Sequence, residues 1–193
     1  MNDTIDRMPP IPRERMTEAQ RAAADELIAG PRKGVKGPFI PLLRSPELMA
    51  RLQKVGEYLR FESALPPRLC EFAILVVARR WTQQFEWGVH APLAIAAGTL
   101  PATIDALRAG IRPATMTDDE ALVHDFVNEL ADRGGVSDGL YRDAVSRLGE
   151  QGLLDLIGLV GYFTTISMVL NVARTPADAP AGVAPLPART SGG

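Results

Sequence analysis

The sequence predicts an all-α fold on three observations. Apolar residues recur at helical spacing through most of the 193 residues, and no segment shows the apolar–polar alternation of a half-buried β-strand. Helix-start signals precede several of these segments, and Gly or Pro separates them. The composition, with 46% hydrophobic and 23% charged residues, is that of a globular chain able to bury one substantial core.

Most of the predicted helices have a recognisable start. Thr17 with Gln20, and Thr117 with Glu120, have the spacing of a capping box, in which each side chain bonds the other residue's backbone. Proline suits the first turn of a helix because its missing N–H has no partner there. The predicted helices cover approximately residues 17–28, 46–59, 66–83, a segment ending at 98, 101–109, 117–131, a segment starting after Ser137, and 156–173. The break between the third and fourth helices is expected near residues 82–85.

Three regions differ in composition. Residues 1–15 form a polar N-terminal extension, residues 16–174 the helical domain, and residues 175–193 a tail rich in Pro and Ala. The tail lacks a helical pattern, so we expect it to be disordered or to lie as an extended arm on a neighbouring subunit. Within the domain, the Gly- and Pro-rich residues 30–44 are predicted to form a loop.

Charge and cysteine content exclude several classes of protein. The 21 basic and 23 acidic residues give a formal net charge of −2 without a long basic run, so no nucleic-acid partner is expected. Cys70 is the single cysteine, which excludes an internal disulfide and fits a cytoplasmic location, as does the absence of an apolar leader. The uncharged stretch Leu156–Ala173 is interrupted by Gly, Ser, Thr and Asn, and we interpret it as a buried core or subunit-interface helix rather than a membrane span.

The candidate catalytic residues are Glu71, Glu86 and His90, which stand in an otherwise apolar stretch. Glu86 and His90 are four residues apart, a spacing that places them one turn apart on the same helix face. Histidine titrates near neutrality, and a neighbouring carboxylate fixes its tautomer and raises its basicity. Three titratable groups in an apolar pocket therefore indicate proton-transfer chemistry.

Two other interpretations of these residues stay open. A buried histidine held by a carboxylate is also a common structural pair, because ion-pair networks perturb pKa values without serving catalysis. A metal site at Glu71, Glu86 and His90 is less favoured, since catalytic zinc usually has three protein ligands that are rich in histidine. We expect neither a metal nor another cofactor.

Three neighbours are candidate substrate-binding residues: Arg79, Thr82 and Trp87. If the helix continued unbroken, Arg79 would project about 80° from Glu71 and Thr82 within about 20° of it. An arginine suits a carboxylate, a hydroxyl adds a hydrogen bond, and a tryptophan is able to wall a pocket. The alternatives are a surface or interface salt bridge for Arg79 and core packing for Trp87.

The segment from Glu71 to Gly98 resembles the carboxymuconolactone decarboxylase family, whose members share the AhpD-like fold. The residues that carry the resemblance are Glu71, Ala78-Arg79-Arg80-Trp81, Phe85-Glu86-Trp87, His90-Ala91-Pro92-Leu93-Ala94 and Ala97-Gly98. The similarity extends more loosely over residues 16–174. It implies an AhpD-like helical bundle that assembles into a homo-oligomer, often a trimer or a hexamer.

The family that the segment resembles has two chemical types, which differ in the residues at the active site. Peroxidase-type members carry a glutamate, a Cys-x-x-Cys pair and a histidine. Here Glu71 and His90 match the glutamate and the histidine, but Gln83 and Glu86 stand at the cysteine positions. Decarboxylase-type members carry a Glu-x-x-x-His element instead, which Glu86 and His90 reproduce.

The resemblance therefore implies a cofactor-free carboxy-lyase of aromatic catabolism, or a related proton-transfer enzyme, acting on a small carboxylated lactone. In that reaction His90 stabilises an oxyanion or donates a proton, Glu86 orients His90, Glu71 is a relay or second acid, and Arg79 anchors a carboxylate. The alternatives are a non-catalytic member that binds a small molecule or serves as a scaffold, and an antioxidant hydroperoxidase-like protein that works without a thiol pair. The small-molecule substrate would be the main partner, with no membrane involved.

Overall fold

The computed structural model describes residues 5–177 and 182–188, and within these ranges it contains eight α-helices and no strand. The predicted all-α fold is thereby confirmed. The helices are α1 (Glu18–Ala29), α2 (Phe39–Leu42), α3 (Pro46–Phe61), α4 (Pro67–Trp81), α5 (Gln84–Ala96), α6 (Pro101–Ala109), α7 (Asp118–Arg133) and α8 (Asp138–Ala173). The sequence-based prediction did not include the four-residue α2, which lies in the segment predicted to be a loop, or a short 3-10 helix at Arg13–Arg15.

Helix α4 forms the centre of the fold. Every residue from Phe72 to Ala78 is buried, and α4 packs against α5, α6, α7 and α8. A helix that is apolar around its circumference needs neighbours on all sides to cover it. Glu71 is carried on this central helix, so its carboxylate is held inside the protein rather than at its surface.

Most of the predicted helix-start signals are found at the starts of helices in the structure. Both capping boxes form, with the Thr17 hydroxyl accepting from the Gln20 amide and the Thr117 hydroxyl accepting from the Glu120 amide. Proline occupies the first turn of α3, α4 and α6. Ser45 and Ser137 precede their helices, but their side chains make no capping hydrogen bond.

The break between α4 and α5 falls at Thr82 and Gln83, inside the predicted interval of residues 82–85. Thr82 takes a left-handed conformation (φ 50°) and ends α4, and the Gln83 side chain accepts a hydrogen bond from the Phe85 amide to start α5. This tight turn folds α5 back onto α4, so that Glu86 and His90 come to lie near Glu71.

Helix α8 combines the last two predicted helices. Gly149 interrupts it with φ 70°, a value that glycine adopts without strain. By length and composition alone α8 is apolar enough to cross a membrane, but 56% of its most apolar window is buried inside the fold. That burial fits the expectation of a core helix.

The C-terminal tail differs from the expectation of a disordered segment or an arm on a neighbouring subunit. Residues 182–188 lie on their own chain, where the Gln84 side chain bonds both the backbone N–H and C=O of Leu186. The indole N–H of Trp87 donates to the Ala184 carbonyl, and Leu186 is buried. Apolar burial together with paired backbone groups holds this segment on α5. The rest of the predicted tail, apart from residues 175–177, lies outside the described residues.

Replacing Leu186 with alanine is expected to release this segment. Leu186 is 3% exposed, and loss of a buried leucine side chain costs about 2–5 kcal/mol, which exceeds what a few hydrogen bonds return. Hydrogen exchange at the Leu186 amide position should then accelerate at least about tenfold, while the α4 amides stay protected. Exposed Leu48→Ala is the matched control, and unchanged exchange in the Leu186 variant would contradict this account.

Candidate active site

The structure brings the three predicted catalytic side chains together. Nδ1 of His90 lies 2.5 Å from Oε2 of Glu71 on α4, and Nε2 of His90 lies 3.3 Å from Oε2 of Glu86 on its own helix. The imidazole thus sits between two carboxylates, one across the helix pair and one a turn away. The shorter contact fixes the ring at Nδ1, and the longer one leaves Nε2 the more available nitrogen.

Burial and charge act in opposite directions on this group. His90 is 2% exposed and Glu86 is 4% exposed. Burial disfavours the imidazolium, but the hydrogen bonds and charges of Glu71 and Glu86 outweigh it and raise the pKa of His90 above its usual 6.5. Burial likewise opposes ionisation of Glu71, yet His90 and Arg60 together lower its pKa. The raised pKa of His90 and the lowered pKa of Glu71 both favour a protonated imidazole beside an ionised Glu71.

Two further side chains support this arrangement. Nη2 of Arg60, from α3, lies 3.5 Å from Oε1 of Glu71. The ring of Phe163, from α8, meets the His90 ring edge-on at 5.3 Å between centroids. Arg60 keeps Glu71 ionised, and Phe163 limits rotation of the imidazole.

A cavity of about 230 Å³ opens beside Glu86 and His90. Its lining comes from the 30–44 segment and helices α3, α5 and α8, and the charged or polar members are Arg32, Lys36, Arg60, Glu86, His90 and Tyr162. The volume lies below the range of about 300–1,000 Å³ typical of drug-sized ligands, so the cavity suits a small molecule. Glu71 stands behind His90 rather than on the cavity surface.

Arg79 does not join this cavity, contrary to the prediction. Its Nε donates to the Arg108 carbonyl at 3.0 Å, and its guanidinium packs against Gly110. The offset around α4 points Arg79 toward the C-terminal end of α6, away from the cavity beside His90.

Thr82 and Trp87 are also absent from the cavity lining. Thr82 is the left-handed residue that ends α4, so the helical projection used to place it beside Glu71 does not apply. Trp87 is 1% exposed, packs in the core and donates its indole N–H to Ala184. Its position one residue after Glu86 turns it away from the cavity by about 100°.

Arg32, Arg60 and Tyr162 line the cavity, and sequence reasoning did not select them. Arg32 stands in the Gly- and Pro-rich segment, Arg60 at the end of α3 and Tyr162 in the apolar stretch of α8. Only Tyr162 carried a signal, as a polar hydroxyl inside a long uncharged run. The other two are brought in by tertiary packing.

The arrangement leaves His90 little capacity for a metal ion, since both ring nitrogens already face carboxylates. In the part of the chain that the structure describes, no group of three or more His, Cys, Asp or Glu side chains is arranged to hold a metal. The geometry instead suits transfer of a proton between His90, Glu86 and a molecule in the cavity.

The opposite pKa shifts predict a defined pH window for the His90–Glu71 interaction. Because the pKa of His90 is raised, its contribution to stability is complete below the unfolded value near 6.5 and is lost as pH rises through the folded value. Because the pKa of Glu71 is lowered, its contribution is present above about 4.5 and is lost as pH falls through the folded value.

Titration of His90 by proton NMR should therefore give a midpoint above 6.5, and Glu71→Gln should lower it. Wild type and Glu71→Gln should differ most in unfolding free energy between pH 4.5 and 6.5, with the difference narrowing at alkaline pH. A midpoint below 6.5 in the wild type would show that burial dominates instead.

Comparison with known proteins connects this geometry to a family. Residues 46–122 match the model of the carboxymuconolactone decarboxylase family. This part of the chain, about two fifths of its length, is similar to that family. The resemblance stated from the sequence is confirmed at that level. A comparison with curated proteins finds no significant match.

The carboxymuconolactone decarboxylase match runs from the start of α3 into α7 and contains Arg60, Glu71, Glu86 and His90. The 30–44 segment and α8 lie outside it, although both line the cavity. Glu71, Glu86 and His90 thus lie in the matched region, while part of the cavity wall is built by segments that flank it.

Proposed function

We propose that this carboxymuconolactone decarboxylase family member is a cofactor-free carboxy-lyase, or a related proton-transfer enzyme, acting on a small carboxylated lactone. The observation that carries the proposal is the buried imidazole of His90 between Glu71 and Glu86, at the wall of a small cavity, with a raised pKa that favours its protonated form. Arg60 and Arg32 on that wall add positive charge suited to a carboxylated substrate.

The proposed chemistry uses these groups in sequence. The bond between the substrate carbon and its carboxylate breaks, carbon dioxide leaves, and the electron pair delocalises onto a carbonyl oxygen as an enolate. The positive His90 stabilises that charge and then donates its Nε2 proton to carbon. Glu86 orients Nε2 and passes a proton from solvent back to the ring, while Glu71 holds Nδ1.

The test is incubation of the purified protein with 4-carboxymuconolactone in D2O, followed by proton NMR. Release of carbon dioxide with deuterium placed at one carbon supports the lyase proposal. The expected control is loss of deuterium incorporation in Glu86→Gln. No turnover of this lactone or of related carboxylated lactones would count against catalysis and favour a binding role.

An antioxidant function finds less support in the geometry. Cys70 is buried, its thiol faces the Leu59 carbonyl, and burial with the nearby Glu71 raises its pKa to about 12. A thiol peroxidase needs an accessible thiolate and a resolving partner. The positions of a Cys-x-x-Cys pair are occupied by Gln83 and Glu86.

We also propose that the protein forms a homo-oligomer, a trimer or a hexamer. Support comes from a stripe of exposed apolar side chains along α8: Leu154, Ile157, Met168 and Val172. Their spacing places them on one helix face, and exposed apolar stripes of this kind commonly mark subunit contacts. Light scattering coupled to size-exclusion chromatography measures the subunit number, and a monomer would reject the proposal.

A further inference from the structure

The cavity contains guanidinium groups that the proton-transfer chemistry does not use. Nε of Arg32 and Nε of Arg60 are both buried, and neither reaches a hydrogen-bond acceptor among the described residues. Buried donors without acceptors cost free energy and are uncommon in folded proteins. An acceptor supplied by a ligand would satisfy them.

The charge around the cavity is also unbalanced. On its surface Arg32, Lys36 and Arg60 are positive and Glu86 is negative. Glu57 near Arg32 and Glu71 behind His90 are further acidic residues outside the lining. Burial lowers the pKa of Arg32, and the charge of nearby Arg60 acts in the same direction. An anion between these groups would relieve both effects.

Gly56 on α3 leaves space for the Tyr162 hydroxyl and the Arg32 guanidinium at the cavity wall. A Cβ atom at Gly56 would lie 2.3 Å from the Tyr162 hydroxyl and 2.9 Å from Nη2 of Arg32. Both polar groups therefore occupy the space that any other residue would fill. Glycine inside a helix is less favourable than alanine, so α3 is less stable with Gly56 than it would be with a residue that fills this space.

We propose that Arg32 and the Tyr162 hydroxyl form a carboxylate subsite that sets substrate specificity, distinct from the group that reacts at His90. This inference rests on the proposed function and deepens it, because it assigns the two residues that hold a substrate carboxylate away from His90. One carboxylate is held by Arg32 and Tyr162, and the other end of the molecule is presented to His90. Arg32 and Tyr162 lie outside the family match over residues 46–122, so the subsite is contributed by this chain's flanking segments.

Binding of simple dicarboxylates tests the subsite without requiring turnover. Isothermal titration calorimetry with succinate, glutarate and adipate is expected to show binding of at least one probe to the wild type. Arg32→Gln should weaken that binding at least about tenfold, because hydrogen bonds to charged groups are worth about 1.5–3 kcal/mol. Tyr162→Phe should weaken it about threefold to tenfold.

Gly56→Ala provides a test that alters neither ligand-binding residue itself. Alanine favours the helix, so the fold should be retained, but its methyl group displaces the Tyr162 hydroxyl and Arg32. Binding should fall about as far as in Arg32→Gln. Arg51→Gln, which removes an exposed arginine from the same helix, is the matched control and should bind normally.

The outcomes separate this inference from the proposed function. If no lactone is turned over but dicarboxylate binding depends on Arg32, the subsite stands and the lyase proposal fails. If a lactone is turned over, Arg32→Gln should raise KM with little change in kcat, and an unchanged KM overturns the subsite. Absence of binding by all three dicarboxylates to the wild type also overturns it.

Discussion

Replacing His90 with alanine is expected to destabilise the protein by about 3–5 kcal/mol, the usual cost of removing one partner from a buried ionic group. The His90 side chain is 3% exposed and the Glu86 side chain 5% exposed. Without the imidazolium, Glu86 becomes a buried carboxylate without its cation, while Glu71 keeps Arg60 nearby. Urea denaturation at pH 6, below the raised pKa of His90, measures the decrease in the free energy of unfolding.

A second variant identifies the physical cause of this destabilisation. The double variant His90→Ala with Glu86→Gln should be more stable than His90→Ala alone, because it removes the buried Glu86 carboxylate that lacks a cation. His124→Ala is the matched control, since its Asp125 partner is 43% exposed and the pair is expected to contribute less than about 1 kcal/mol. A loss below about 1 kcal/mol in His90→Ala would show that the two carboxylates do not depend on the imidazolium.

In the proposed lyase reaction, replacing Glu86 with glutamine is expected to lower kcat/KM at least about 100-fold, the usual size of a general acid–base effect. Glutamine preserves the size of the side chain and its position beside Nε2 of His90 but cannot return a proton to the ring. The melting temperature should change little compared with His90→Ala. Steady-state kinetics and thermal unfolding of the same preparation measure both effects.

Glu86→Gln therefore separates catalysis from stability more cleanly than a His90 variant, in which both are affected. Glu47→Gln is the control, because the Glu47 side chain is 77% exposed and pairs only with Arg51 on the surface. Activity within about threefold of wild type in Glu86→Gln would remove Glu86 from the mechanism.

The contrast between Glu86 and Arg79 shows how far sequence reasoning extends into the site. Glu86 and His90 lie four residues apart on one helix, so local geometry alone places them together. Arg79 was placed by the same helical arithmetic, but which neighbour it meets depends on how α6 packs against α4. Periodicity gives a direction around a helix axis, not the identity of the surface in that direction.

The C-terminal tail shows a similar limit for predictions made from composition. Its Pro- and Ala-rich composition predicted disorder or an arm on a neighbouring subunit, because few of its side chains contribute apolar burial. Residues 182–188 nevertheless lie on their own chain, because the Leu186 side chain is buried and the Gln84 side-chain amide bonds the backbone N–H and C=O of Leu186. Composition averages over a segment and does not register a single well-placed contact.

The sequence by itself determined the helices, most of their starts, the family of the central region and the Glu86–His90 pair. All of these depend on residues close together in the chain, where backbone geometry fixes the spacing. Only the tertiary structure decided that Glu71 reaches Nδ1 of His90 and that Arg32, Arg60 and Tyr162 share one cavity. Those contacts join distant helices, and their existence depends on side-chain packing that no local pattern encodes.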